Sequence, residues 1–261
     1  MKTIEESIAT AMDFCQNTAI VPFLPYILQD FWELGTPTEK VIELIQKHYN
    51  NFSCLNVLDL GCGKGAVTVK IASTLKCNCY GLDGIPEFIE TAKAKACEYG
   101  VDSLCSFEVG DVRERVQELD KFDIILLCAT GPIYDDYYMA LATLSKHLTD
   151  NGIVIIDEAY VNDTSTFQHP PYLFRKELIK QFEQAEMELI DENVFKYNEV
   201  ADKTKEMKNI ETRCNELKAK YPEKSSLFEN YMQNQNSEYD ALENEFGGSV
   251  MVLKRVQWNK S

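Results

Sequence analysis

The sequence has 261 residues, with 26 lysines and arginines against 42 aspartates and glutamates, which gives a formal net charge of −16. A surface this acidic repels phosphate backbones and anionic lipid head groups, so we expect neither nucleic acid nor a membrane as a partner. The nine cysteines are odd in number and scattered, which disfavours a secreted disulfide framework. The three histidines stand apart, so we expect no metal site. The absence of a recognisable signal peptide and of an apolar window of about 18 residues predicts a cytoplasmic protein.

The first region, residues 1–53, is rich in aromatic side chains and is divided into short pieces by Pro22, Pro25 and Pro37. We expect short helices here. The apolar residues near its end recur at helical spacing: Val41, Ile42, Leu44, Ile45 and Tyr49. This pattern predicts an amphipathic helix over residues 40–49, with Thr38 as its N-terminal cap.

The second region, residues 54–161, alternates short apolar runs with stretches of helical spacing. The apolar runs cover residues 55–60, 79–82, 104–109, 122–128 and 152–156. The helical stretches cover residues 66–75, 86–99 and 137–148. Apolar runs between helices indicate strands that are buried on both faces of a parallel sheet. Because crossover connections are right-handed, we expect an α/β fold with a doubly wound sheet.

The third region begins with a predicted helix at residues 172–185 and a predicted strand at 187–195. A charged stretch follows, in which two apolar stripes recur at helical spacing: Met207, Ile210, Cys214, Leu217 and Tyr221, then Phe228, Met232, Gln235, Tyr239, Leu242 and Phe246. This predicts a helical hairpin before a last strand at 249–256. We therefore expect N-terminal helices at 1–53, an α/β core at 54–195 and 248–258, and a helical insertion at 196–247.

A glycine-rich turn follows the first predicted strand. Gly61, Gly63 and Gly65 permit backbone angles that are closed to other residues and let a ligand lie against bare main chain. The helix that starts near Ala66 directs its amides and the positive end of its dipole toward the same place. Such a turn alone also suits a dinucleotide. Asp59 discriminates, because a carboxylate there repels a pyrophosphate and attracts an ammonium group.

The segment from Val57 to Gly65, Val-Leu-Asp-Leu-Gly-Cys-Gly-Lys-Gly, resembles motif I of the class I S-adenosylmethionine-dependent methyltransferases. Residues 80–83 resemble the second motif of that family, and Asp83 follows the glycines by the usual distance of about twenty residues. Residues 110–112 are similar to the third motif, and residues 148–156 to the turn and strand before the substrate rim. The resemblance implies a mostly parallel, seven-stranded, Rossmann-like sheet and S-adenosylmethionine as the cofactor.

The resemblance also implies a role for the residues of these motifs. The glycine turn would lie under the methionine part of the cofactor, Asp83 would bind both ribose hydroxyls, and Asp111 would accept from the adenine amino group. The predicted cofactor contacts are Asp59, Gly61, Cys62, Gly63, Gly65, Asp83, Gly84, Ile85, Asp111, Val112 and Cys128.

The acceptor is less defined, because methyl transfer needs mainly alignment and water exclusion and leaves no catalytic signature. Residues 128–132, Cys-Ala-Thr-Gly-Pro, depart from the Asn/Asp-Pro-Pro-Tyr tetrad of relatives that methylate nucleic-acid bases or amide nitrogens. We therefore expect a small-molecule acceptor. Four side chains after the fourth and fifth strands are candidates for binding it: Tyr134, Glu158, Tyr160 and His169. Their acidic and aromatic character favours a cationic or amine-bearing acceptor.

The two additions to the core are expected to control access. The N-terminal helices resemble the lid that covers the cofactor in many small-molecule methyltransferases. The hairpin would either close the substrate cavity or pair with its copy in a homodimer, since its stripes need a partner. Three other functions stay open. The first is an aminopropyl transferase, whose acidic site Asp135-Asp136 resembles only weakly. The others are a nicotinamide-dependent oxidoreductase, which Asp59 disfavours, and a non-catalytic protein that keeps the cofactor pocket.

Overall fold

The computed structural model describes residues 2–13, 17–166 and 172–257. At its centre, within these ranges, seven strands form one sheet of order β3-β2-β1-β4-β5-β7-β6. Their bounds are β1 Asn56–Leu60, β2 Asn78–Asp83, β3 Cys105–Val109, β4 Phe122–Cys128, β5 Leu148–Val161, β6 Met187–Phe195 and β7 Phe246–Arg255. Neighbouring strands are parallel except at β7, which runs antiparallel to both β5 and β6. The predicted doubly wound, mostly parallel seven-stranded sheet is confirmed.

Helices cover both faces of this sheet. Their bounds are α1 Ile4–Asp13, α2 Leu24–Ile27, α3 Thr38–His48, α4 Ala66–Leu75, α5 Pro86–Glu98, α6 Val112–Arg115, α7 Tyr137–Leu144, α8 Arg175–Gln184, α9 Lys203–Lys220 and α10 Ser225–Asn244. On β4, Ile124 and Leu126 pack with α3, α4 and α5 on one face. Ile125 and Leu127 pack with α7 and α8 on the other face. Because side chains alternate along a strand, a strand that is apolar throughout fills both cores.

Several boundaries differ from the predicted ones, and three of these differences have a clear physical reason. Thr38 lies inside α3, and its buried hydroxyl makes no capping hydrogen bond, so it is not the predicted cap. Helix α8 begins at Arg175, later than predicted, because Phe174 before it bridges Val161 in extended conformation. Strand β7 begins at Phe246, earlier than predicted, because β5 continues to Val161 and offers it a partner.

The helical hairpin, formed by α9 and α10, packs against the N-terminal segment of the same chain (residues 2–13 and 17–37). Its side of this contact is made of fully or nearly buried residues: Met207, Ile210, Cys214, Leu217, Phe228 and Tyr231. The Phe228 ring meets Phe23 edge-on, with 5.0 Å between centroids. The Arg213 guanidinium donates to both carboxylate oxygens of Asp30, at 2.6 and 2.9 Å. Much of both stripes is thus covered within the chain, which weakens the argument for the homodimer alternative.

None of the helices in the described ranges has both the length and the apolar composition that a membrane span requires. The cysteines in the same ranges are free thiols, in line with the predicted reduced state. The sulfur atoms of Cys77 and Cys79 lie 3.8 Å apart in the core, on the same side of the sheet.

Gly65 precedes α4 and has a packing role. Its φ is +73°, and a Cβ at this position would lie 2.7 Å from the Cβ of Ala92 on α5. The missing side chain therefore lets α4 and α5 approach each other closely.

We expect Phe228→Ala to lower the free energy of unfolding by about 3–5 kcal/mol, because it removes a fully buried ring from the contact between hairpin and N-terminal segment. Urea denaturation followed by circular dichroism measures this loss. Asn230→Ala, exposed on the same helix, is the control and should change stability by less than about 0.5 kcal/mol. Equal losses in the two variants would contradict this packing.

We also expect Gly65→Ala to destabilise the protein more than Gly100→Ala. Both glycines have positive φ, +73° and +64°, but nothing lies within 4 Å of a Cβ placed at Gly100. Both variants carry the left-handed strain of about 1–2 kcal/mol, while overpacking against Ala92 adds about 1–3 kcal/mol at Gly65 alone. Urea unfolding of the two variants side by side measures the difference, and equal values would show that α4 and α5 are not in close contact.

Candidate functional site

A cavity of about 570 Å³ lies where the carboxyl ends of the parallel strands meet. Parallel α/β sheets bind their ligands at this edge. One part, here the glycine half, is lined by residues 59–63, 83–85 and 110–113. The other part, here the hairpin half, is lined by the end of β5, the segment before α8 and the hairpin, including Asp157, Glu158, Tyr172, Glu206, Glu238 and Tyr239. Thr36 and Cys128 also line the cavity. The N-terminal segment and the hairpin therefore both contribute to its walls.

The glycine turn presents nearly bare main chain to the cavity. Gly61 has a φ of +72°, and a Cβ there would lie 2.4 Å from the Cγ2 atom of Thr130. The amides of Gly61 and Cys62 both donate to the carbonyl of Leu82 on the adjacent strand, at 2.8 and 2.9 Å. These hydrogen bonds fix the turn against β2. Gly61, Cys62 and Gly63, which are predicted cofactor contacts, line the cavity.

Asp59 is buried at the end of β1, with 1% of its surface exposed. The Thr68 hydroxyl, on the first turn of α4, donates to its carboxylate at 2.6 Å. Burial raises the pKa of Asp59 to about 6, and the nearby charge of Asp83 adds to the effect. Asp59 therefore holds a negative charge in the cavity at neutral pH, close to the turn.

Asp83 is buried at the end of β2, where the main chain holds its carboxylate. The amides of Gly63 and Ile85 each donate to one of its oxygens at 2.8 Å. Burial raises the pKa of Asp83 to about 6, although these hydrogen bonds oppose the shift. The two amides fix the carboxylate in one orientation, and each oxygen keeps a lone pair for a ligand.

Asp111 also lines the cavity, but it has a partner that the sequence did not indicate. Its side chain caps α6 by accepting from the Arg113 amide at 2.9 Å, and the Arg113 guanidinium donates to both of its oxygens. The hydrogen bonds from Arg113 hold the pKa of Asp111 below its ordinary value. Gly84, Ile85, Val112 and Cys128 line the cavity as well.

Gly65 is the one predicted cofactor contact that does not line the cavity, because it faces α5, as described above. Its neighbour Lys64 is neither solvated nor free to reach a ligand. The buried Lys64 ammonium donates to the main-chain carbonyls of Leu28 and Phe31, the latter at 2.6 Å. In return the Trp32 indole donates to the Lys64 carbonyl at 3.0 Å. Burial lowers the pKa of Lys64 to about 8. The N-terminal segment is thus fastened directly to the glycine turn.

The four residues predicted to bind the acceptor lie in different places relative to the cavity. Tyr134 and Glu158 line the cavity, and Glu158 accepts from the Tyr137 hydroxyl. Burial raises the pKa of Glu158 above its ordinary value. Tyr160 does not line the cavity: its ring packs on the other side of β5, under the Arg175 guanidinium, so that prediction was wrong. His169 lies outside the described residues.

The sequence analysis missed Asp157, which is 7% exposed and lines the cavity beside Glu158. It follows the last apolar residue of the predicted strand 152–156, so its place at a strand end was the signal that could have found it. Thr36, on the N-terminal segment, lies beside it. Within the described ranges, no three histidine, cysteine, aspartate or glutamate side chains are grouped so that they could hold a metal ion.

Comparison with known proteins agrees with this geometry. The ubiquinone biosynthesis O-methyltransferase of Rickettsia canadensis is 31% identical over 121 residues, 45% of this chain and 48% of the relative. The chain thus spans about half the length of the curated relatives it matches.

Two solved structures share the fold across most of the chain. A SAM-dependent methyltransferase from Geobacter sulfurreducens in complex with S-adenosyl-L-homocysteine superposes with a TM-score of 0.72 at 18% identity, over 90% of this chain and 98% of that one. One from Thiobacillus denitrificans, also in complex with S-adenosyl-L-homocysteine, gives 0.71 at 17% identity over the same shares. Residues 51–236 match the model of a family described as methyltransferase domain. The chain therefore belongs to the methyltransferase domain family, as its motifs indicated.

Proposed function

We propose that this chain transfers a methyl group from S-adenosylmethionine to a small-molecule acceptor by in-line displacement and releases S-adenosylhomocysteine. One observation carries the proposal: two buried carboxyl groups, Asp59 and Asp83, flank a turn without side-chain bulk in a single cavity. The same cavity continues into the hairpin half, which gives an acceptor room beside the donor.

Each part of the methyl donor meets matching chemistry in the glycine half. The Asp59 carboxylate suits the ammonium group, and the free lone pairs of Asp83 suit the ribose hydroxyls. Ile85 and Val112 offer apolar contact to the adenine, and Asp111 can accept from its amino group. When bound, S-adenosylmethionine supplies an electrophilic methyl group on a sulfonium. The predicted contacts apart from Gly65 are retained in this proposal.

The protein itself aligns the reactants and excludes water. The Leu34 side chain covers the turn, within 3.1 Å of where a Gly63 Cβ would be. Ile4 and Ile8 of α1 approach Gly84 in the same way, at 3.0 and 2.9 Å. Because the displaced thioether leaves neutral, alignment in a covered cavity accounts for most of what the chain must contribute.

The alternatives each meet an obstacle in the site. Asp59 and Asp83 would repel the pyrophosphate of a nicotinamide cofactor. An aminopropyl transferase would need free carboxylates after β4, but Asp136 caps α7 by accepting from the Met139 amide at 2.7 Å. A non-catalytic protein with this pocket would bind the donor without turning it over, so turnover separates it from an enzyme.

Isothermal titration tests the donor site. We expect S-adenosylmethionine and S-adenosylhomocysteine to bind and NAD not to bind. Asp83→Asn should weaken binding of both adenosyl ligands about ten- to hundredfold, because a hydrogen bond to a charged group contributes about 1.5–3 kcal/mol.

The exposed Asp120, changed to Asn, is the matched control and should leave both affinities unchanged. Binding of NAD alone would overturn the proposal. So would Asp83→Asn with unaltered affinity and an intact circular dichroism spectrum.

The affinity for S-adenosylmethionine should also fall as the pH is lowered from 7.5 to 5.0. The pKa values of Asp59 and Asp83 are raised to about 6, so both carboxylates gain protons within this range. Protonation removes the negative charge that attracts the ammonium group, which gives the sign of the effect. Titrations at several pH values measure it, with the melting temperature recorded at each pH to show that the fold persists. A constant or rising affinity would contradict a role for these carboxylates.

A further inference from the structure

Beyond the donor site, the hairpin half of the cavity carries an unusual set of groups. Three glutamates in it accept hydrogen bonds from tyrosine hydroxyls. Glu158 accepts from Tyr137, Glu206 from Tyr197 and Tyr239 at 3.0 and 2.8 Å, and Glu238 from Tyr172 at 3.0 Å. The walls of this half are therefore acidic and aromatic at once.

The described cations that line the cavity are bound to other groups. Within the described ranges, the lysines and arginines that line the cavity are Lys2, Lys64 and Arg113. Lys64 is bound to main-chain carbonyls, Arg113 to Asp111, and Lys2 to the Thr10 hydroxyl at 3.3 Å. None of these three contacts involves Glu158, Glu206 or Glu238.

Asp157 is the acid of this half with the weakest support from the described residues. It is more than nine-tenths buried, and the donor beside its carboxylate is the Thr36 hydroxyl, which favours the ionised form. The buried Thr36 oxygen makes no hydrogen bond of ordinary geometry within the described residues. A buried carboxylate with so little hydrogen bonding is costly, so the site is suited to a ligand that brings a donor.

Asp157 also stands at the junction of the two halves. It pairs across the sheet with Cys128 at the end of β4, and the charge of Asp59 acts on the Cys128 thiol from the other side. Burial raises the pKa of Asp157 to about 7. A group bound to Asp157 would therefore lie between the predicted donor site and the acidic, aromatic walls.

Resting on the proposed function, we propose that the acceptor is a small primary or secondary amine, bound through its nitrogen by Asp157. The amine reacts as its free base, after releasing a proton to solvent. Its nitrogen lone pair forms the new bond to the methyl carbon, and the carbon–sulfur bond breaks with its electron pair staying on sulfur. The nitrogen gains a positive charge, which the Asp157 carboxylate stabilises. The product then loses an N–H proton to solvent, and the tyrosine rings of the hairpin half provide cation–π contact.

Paired amines and alcohols test this inference on the protein saturated with S-adenosylhomocysteine. We would titrate benzylamine against benzyl alcohol and phenethylamine against phenethyl alcohol by calorimetry. The amine should bind at least about tenfold more tightly than its alcohol in at least one pair, which corresponds to about 1.4 kcal/mol. With S-adenosylmethionine in place of the product, the same amine should give the faster release of S-adenosylhomocysteine.

Asp157→Asn should bring the amine and alcohol affinities within about threefold of each other while leaving the affinity for S-adenosylhomocysteine unchanged. Asp150→Asn is the control, since Asp150 is exposed at the opposite end of the same strand. Alcohols that bind as well as amines, no amine that binds, or an amine preference that survives in Asp157→Asn would each overturn the inference. The paired titration of the unchanged protein decides the question even if Asp157→Asn does not fold.

Binding of S-adenosylhomocysteine distinguishes a failure of the amine inference from a failure of the proposed function. A protein that does not bind it would lose the proposed function as well. A protein that binds S-adenosylhomocysteine and methylates only hydroxyl acceptors would support the proposed function and refute the inference that the acceptor is an amine.

Discussion

Asp59, Asp83 and Asp157 bury three carboxyl groups around one cavity, and no lysine or arginine in the described ranges pairs with them. Ionised carboxylates in such a place are costly, and they repel one another. Main-chain amides hold Asp83 and a hydroxyl holds Asp59, while within the described ranges only the Thr36 hydroxyl acts on Asp157 as a donor. Parallel strands fix all three in place, since their carboxyl ends meet at one edge. The glycine turn and the covering helices surround these carboxyl groups, which in the proposed function receive ligands that carry positive charge.

Much of this arrangement could be predicted because it is encoded locally. The turn from Gly61 to Gly63 needs positive φ and bare main chain, and only glycine supplies both. Asp59 lies near the end of β1, just before the glycine turn, and Asp83 lies at the end of β2. The two carboxyl groups therefore come close together once β1 and β2 are parallel neighbours. Apolar runs that fill the cores on both sides of a sheet are also readable from the sequence, as β4 shows: its successive side chains are buried on alternate sides. The sheet and the glycine half were accordingly predictable from a single sequence.

The remainder depends on contacts between distant segments. Gly65 looks like part of the turn, yet α5 determines its role through Ala92. Tyr160 belongs to the predicted rim, but β5 continues beyond β4 and turns its ring away from the cavity. The partner of the hairpin stripes is a segment some two hundred residues earlier, as the bond from Arg213 to Asp30 shows. Periodicity reveals that such a stripe must be covered and carries no information on what covers it.

The hairpin joins the sheet in a way that bears on how such enzymes diversify. Phe195 at the end of β6 and Gly248 on β7 are direct partners, so both ends of the insertion emerge from adjacent, hydrogen-bonded strands. A segment whose ends are already held together loses little further entropy when it grows, about 0.6 kcal/mol for each doubling of its length. Descendants of one ancestral sheet can therefore exchange this segment for a longer, shorter or differently charged one without moving the strands that carry Asp59 and Asp83. The architecture therefore allows the glycine half of the cavity to stay constant while the hairpin half changes.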